Sequence, residues 1–118
     1  MTRSLEEMVA RWADIANRAA TYDLTLDDWL NDLDLRDMIG RRIAEAPAAD
    51  DDLRSRLNAA DRVFRESTRD AKRSLWGPNA GAEHHSTRQW WYFRYPSSPG
   101  SSMRRDLDAA GILPTTQR

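Results

Sequence analysis

Cysteine is absent from the 118-residue chain, which excludes disulfide bonds and thiolate metal sites together. A small secreted domain held by disulfide staples is therefore a poor description. Long apolar runs are missing too: nothing approaches the roughly 18 consecutive apolar residues of a membrane-crossing helix. The opening stretch MTRSLEEMVARWADIANRAA carries a charge every few residues and no continuous apolar core, so it does not read as a secretory signal. Cytoplasmic residence, with no membrane partner, is the expectation. Catalytic signatures are also lacking, with no GxSxG elbow, P-loop or GxGxxG. Glu83-His84-His85 is the sole histidine cluster, and with no further His or Cys it falls short of a metal-ligand set. Asp27, Asp28, Asp32, Asp34 and Asp37 crowd together, but they lack the glycine and closing glutamate of a calcium loop. No cofactor or metal is expected, and an enzyme of small molecules is left without support.

Val and Ile are scarce while Ala is plentiful and Trp occurs five times, a balance that favours helices over sheets. The length suits a single domain, residues 1–118. Ser4-Leu5-Glu6-Glu7 has capping-box spacing, and Leu5, Met8, Val9, Trp12, Ile15, Ala16 and Ala19 then recur at helical intervals, predicting a helix over about 5–21. A second helical region begins at Thr25. Its apolar residues fall on two nearly opposite faces, Leu26, Trp29, Leu30 and Leu33 against Leu35, Met38, Ile39 and Ile43. Either one helix over 26–45 is buried on two sides, or the chain breaks between Leu33 and Leu35; a break capped by Asp34 is the preferred reading. It would make Asn31, Asp34 and Arg36 a polar corner able to contact a ligand.

A third helix is predicted over about 51–75, because Leu53, Leu57, Ala60, Phe64, Ser67, Ala71 and Leu75 alternate spacings of four and three. At that length it would run about 37 Å and serve as the spine. Residues 77–88 and 96–101 read as loops, a short last helix starts at Ser101 or Ser102, Gly111 is suited to close it, and residues 115–118 fray. The expected fold is an all-α, compact bundle of three main helices plus a short C-terminal helix.

Between the loops lies RQWWYFRYP, with five aromatic side chains in nine positions, at residues 88–96. Read as an extended segment lying across the bundle, it points Trp90, Tyr92 and Arg94 one way and Trp91, Phe93 and Tyr95 the other. One face would lid the core and the other meet a partner. No second stretch of β character is evident, so pairing with a second copy to give a homodimer would satisfy its backbone.

Charge is divided. Residues 1–52 hold thirteen acidic and six basic side chains, a balance of −7; residues 53–118 hold six and twelve, a balance of +6. Seventeen of the eighteen basic residues are Arg. Arg54, Arg62, Arg65, Arg69, Lys72 and Arg73 form a stripe away from the apolar seam, with Asp61 placed to support Arg65. The stripe is either a solvated face, a partner for the acidic second helix, or a docking surface. The functional expectation is a small non-catalytic protein-binding domain of adaptor, inhibitor, antitoxin or immunity type. It would contact an acidic protein surface through Trp90, Tyr92, Arg94, Tyr95, Arg62, Arg65, Arg69 and Arg73. A nucleic-acid-binding accessory protein is the alternative, less favoured because the net charge of −1 is not basic.

Overall fold

The computed structural model describes residues 4–45, 51–72, 74–75 and 87–113. Four α-helices, two 3-10 segments and one two-stranded sheet make up the regular structure among them. Helix α1, Leu5–Arg18, starts with the predicted capping box: the Glu7 backbone N–H donates to Ser4 Oγ, and the Ser4 N–H donates to Glu7 Oε1, each at 3.1 Å. Its apolar stripe buries Met8, Val9, Trp12, Ile15 and Ala16, and a single 3-10 turn, Ala19–Thr21, ends it.

Helix α2, Leu26–Glu45, is continuous, which corrects the predicted break after Leu33. One of its sides is buried and the other is covered in part. Trp29, Leu30, Leu33, Arg36 and Ile39 are buried, and on another side the aromatic segment supplies polar partners. Tyr92 Oη donates to Asp34 Oδ1 at 2.5 Å, and Gln89 Nε2 donates to Asp37 Oδ1 at 2.9 Å. Asp34 is occupied there and caps nothing. Of the second apolar set, Leu35 and Ile43 are partly buried against the core while Met38 stays exposed. The N-terminal capping predicted at Thr25 is present, through reciprocal bonds with Asp28.

Helix α3, Asp51–Glu66, is shorter than the predicted 51–75, so the spine is about 24 Å long. Two interactions stop it. Thr68 Oγ1 donates back to the Phe64 carbonyl at 2.7 Å, and Arg94 Nη2 donates to the Arg65 and Thr68 carbonyls at 3.0 and 2.7 Å. Together they satisfy end carbonyls that another helical turn would have used. The chain then extends as β1, Thr68–Asp70, antiparallel to β2, Arg94–Pro96. The aromatic strand thus has a partner within its own chain, and the reason given for a homodimer falls away. Bonds from Ser97 N to Ser67 O and from Ala71 N to Phe93 O flank the ladder. They place Thr68 opposite Pro96 at a non-hydrogen-bonded pair, where a missing N–H costs nothing.

Most of the aromatic run is not extended, a second correction. Thr87–Phe93 is 3-10 helical with a kink at Gln89, and only Arg94–Pro96 is strand. Three residues per turn bring Trp90 and Phe93 to the same side, and both are half-buried, whereas Trp91 and Tyr92 are buried. The rings join the core in one chain of contacts. Trp29 lies 4.7 Å from Tyr22 and stacks on Phe64 at 5.6 Å; Phe64 meets Trp12 at 4.7 Å and Trp90 at 5.9 Å. Trp91 and Tyr92 continue it.

Asp61 of α3 joins three helices. Its Oδ1 accepts from Trp12 Nε1 of α1 and from Arg36 Nε of α2, and its Oδ2 accepts from Arg36 Nη2, all at 2.9 Å. It therefore serves Arg36, not Arg65 as the helical spacing suggested. Helix α4, Ser101–Ala109, closes on a Schellman motif with Gly111 at φ 71°: Ile112 N donates to Leu107 O and Gly111 N to Asp108 O. Its start is capped from outside, since Ser102 N donates to Asp23 Oδ1 while Asp106 Oδ2 accepts from Leu26 N at the start of α2. Gly100 is required by this approach, because a Cβ there would lie 2.1 Å from Asp23 Cγ.

Two substitutions test this packing. Asp61→Ala leaves the buried Arg36 guanidinium without its carboxylate and is expected to cost about 3–5 kcal/mol in urea unfolding. Gly100→Ala must displace Asp23 from the α4 cap and is expected to cost about 1–2 kcal/mol in the same assay.

Candidate binding surface

The predicted contact residues divide into framework and rim. Tyr92 and Tyr95 are buried, 3% and 5% exposed, which removes them from any contact surface. The polar corner also dissolves. Arg36 is buried against Asp61, Asp34 accepts from Tyr92, and Asn31 is exposed on α2 away from both roles. Arg36 lies with its guanidinium 4.5 Å from the Trp91 ring centroid, so its charge is spent on internal packing.

Arg62, Arg65 and Arg69 are exposed, and among the described residues none of them forms an ion pair with the acidic α2. Arg73 lies outside the described residues, as does the Glu83-His84-His85 cluster. Arg65 stacks its guanidinium over Trp90 at 4.0 Å. Trp90 thus offers no open face on that side.

Arg65 and Trp90 share a cleft of about 340 Å³ with Asp70, Lys72, Phe93 and Arg94. Arg94 enters from β2 and is immobilised: Nε donates to Thr68 Oγ1 at 2.9 Å, and Nη2 donates to the carbonyls of Arg65 in the last turn of α3 and of Thr68 in β1. Burial lowers its pKa below the ordinary guanidinium value, Asp70 opposes the shift, and Arg65 adds to it. An arginine so placed gains from an anion brought near it. Lys72 stands in a left-handed turn, φ 64°, held by its own N–H donating to Asp70 Oδ1 at 2.7 Å. The wall therefore carries three cations and one anion beside two aromatic rings.

Phe93 and Asp70 were missing from the predicted contacts, and Lys72 entered only as part of a helical stripe. An alternating strand pattern assigned Phe93 to the core. A three-residue period would have placed it with Trp90, but nothing local distinguishes that period in so short a run.

A second cleft of about 380 Å³ lies beside the end of α1, with Arg11, Arg18, Tyr22 and Asp32 in its wall. Tyr22 Oη donates to Asp32 Oδ2 at 2.8 Å, and burial raises the pKa of both groups. Arg18 pairs with Asp14 on its own helix. Acids and guanidiniums offset each other there.

Among the described residues no group of three His, Cys, Asp or Glu could hold a metal ion, and no helix is long and apolar enough to cross a membrane. No protein-family model matches the sequence, and neither a curated protein nor a solved structure matches it. What the chain does must be read from its own residues.

The buried phenols give a pH test. Burial first, then the Asp34 carboxylate, push Tyr92 above its ordinary value of about 10; burial and Asp32 do the same for Tyr22. The folded phenols keep their protons at a pH where the unfolded ones ionise. This stabilisation is thus full below about pH 10 and falls as pH rises further, by at most about 1.4 kcal/mol per pH unit for each phenol. Urea unfolding between pH 8 and 11 should show the decline, and Tyr92→Phe should shrink it.

Proposed function

We propose that this chain is a small, non-catalytic binding domain that docks an acidic surface of another protein, in the manner of an adaptor, inhibitor, antitoxin or immunity factor. One observation carries the reading: Arg62, Arg65 and Arg69 are exposed and, among the described residues, form no ion pair with the acidic half of their own chain. A row of guanidiniums left in water beside half-buried aromatics has the composition of a protein-contact hot spot. Trp90 and Arg94 join them at the rim, whereas Tyr92 and Tyr95 hold the segment in place from inside. Cytoplasmic residence is part of the same proposal.

The nucleic-acid alternative is weakened by a specific contact. Base stacking needs an open aromatic face, and Arg65 covers one face of Trp90. An acidic protein surface needs only the cations.

Exchange of Arg62 and Arg69 for Glu tests the proposal. Both are exposed, so stability should change by no more than about 0.5 kcal/mol. Retention on immobilised polyglutamate should fall about tenfold or more in the double variant, while thermal unfolding is unchanged. Equal retention by the variant would refute the reading. So would tighter binding of single-stranded DNA with the steep salt dependence of counterion release.

A further inference from the structure

Resting on that reading, the geometry points to a more specific assignment: the cleft bounded by Arg65, Asp70, Lys72, Trp90, Phe93 and Arg94 is a subsite for the carboxylate of a glutamate or aspartate side chain presented by the acidic partner. Two of its cations, Arg94 and Arg65, differ from those of the open Arg62 and Arg69 surface in being held. Three donated hydrogen bonds to Thr68 and Arg65 fix Arg94, and they use Nε and Nη2. Nη1 forms no hydrogen bond with the described residues and is left to donate. A guanidinium already fixed loses little side-chain freedom on meeting an anion. Arg65 is held as well, against the Trp90 ring. Lys72 owes its position to a backbone conformation that a non-glycine residue seldom takes, stabilised by the Asp70 side chain.

The lining selects the ligand. Among the described residues three cations against Asp70 leave a surplus of positive charge, which favours an anion. Trp90 and Phe93 supply apolar surface for the methylenes that carry a glutamate carboxylate. The second cleft lacks this surplus, since Arg11 and Arg18 share its wall with Asp23 and Asp32.

The test is a titration of the full chain with an acetylated octapeptide of alternating glutamate and glycine, followed by the ¹⁵N shifts of the Trp90 indole and Arg94 Nε. The glutamine counterpart, inorganic phosphate and oligothymidylate serve as the other arms. The glutamate peptide should move both signals and the glutamine peptide neither. Lys72→Gln and Arg94→Lys should each weaken the peptide about tenfold, as charge-assisted bonds are lost, and Arg62→Glu less than about threefold. Lys72 is exposed, so its variant decides the matter even where Arg94→Lys fails to fold. Asp70→Asn should improve phosphate binding over that of the unaltered chain.

Equal shifts from the glutamine peptide would overturn the assignment. A loss in Arg62→Glu matching that in Lys72→Gln would overturn the subsite while leaving the acidic-surface reading standing. Tighter binding of phosphate or oligothymidylate than of the peptide would overturn the carboxylate assignment. No binding of the glutamate peptide at all would overturn both readings.

Discussion

The carboxylate of Asp61 is the constraint on which the helical packing depends. It takes one N–H from Trp12 and two from Arg36, so that single side chains of α1, α2 and α3 meet at one pair of oxygens. A lone carboxylate buried this far would be costly, and so would a lone guanidinium; the pairing makes each tolerable only while the other is present. Arg36 then lies against Trp91, which carries the effect of the pair into the aromatic segment. Apolar contacts supply the bulk of the packing, but they are tolerant of sliding. The fork of Arg36 on Asp61 is not, and it sets how the three helices are aligned.

A second layer of polar ties joins the segment to α2 and α3. Tyr92 and Gln89 donate to Asp34 and Asp37, Trp29 Nε1 donates to the Arg94 carbonyl at 3.1 Å, and Arg94 closes the end of α3. The acidic residues of α2 are thereby divided in their work. Some hold tyrosine and glutamine, and none is turned toward the exposed arginines of α3 among the ion pairs described. Arg56 pairs with Glu6 and Asp52 across the two halves of the chain, but among the described residues Arg62, Arg65 and Arg69 form no such pair, which is why the basic rim survives as a surface. Arg94 serves both roles, as the cap of a helix and as one wall of the cleft.

The all-α class, the capping boxes that open α1 and α2 and the close of α4 were legible because each is a local matter. Ser4 with Glu7, Thr25 with Asp28, and Gly111 after α4 specify their own geometry within a few residues. The end of α3 was not legible, since Ser67, Ala71 and Leu75 keep helical spacing beyond the point where the chain turns to strand. Part of the stop comes from Arg94, almost thirty positions later, and the local part, Thr68 Oγ1 on the Phe64 carbonyl, is a bond that threonine also makes inside helices. The same distance hid the strand Thr68–Asp70, whose pairing depends on Arg94–Pro96. Of the contact residues, the exposed arginines were legible from their spacing. Tyr92 was not, because its burial depends on a kinked 3-10 turn where alternation predicted a strand, while Tyr95 lies in β2 and is buried.

The crossed caps at Asp23 and Asp106 bear on how the chain reaches its native state. Helical proteins as a class assemble quickly because most of their contacts are local. Here the first turn of α2 waits for a carboxylate eighty positions away, and the first turn of α4 waits for one seventy-nine positions away. Neither start can be completed until nearly the whole polypeptide has been gathered. These two caps thus add a non-local element to a fold whose helix content alone suggests local assembly.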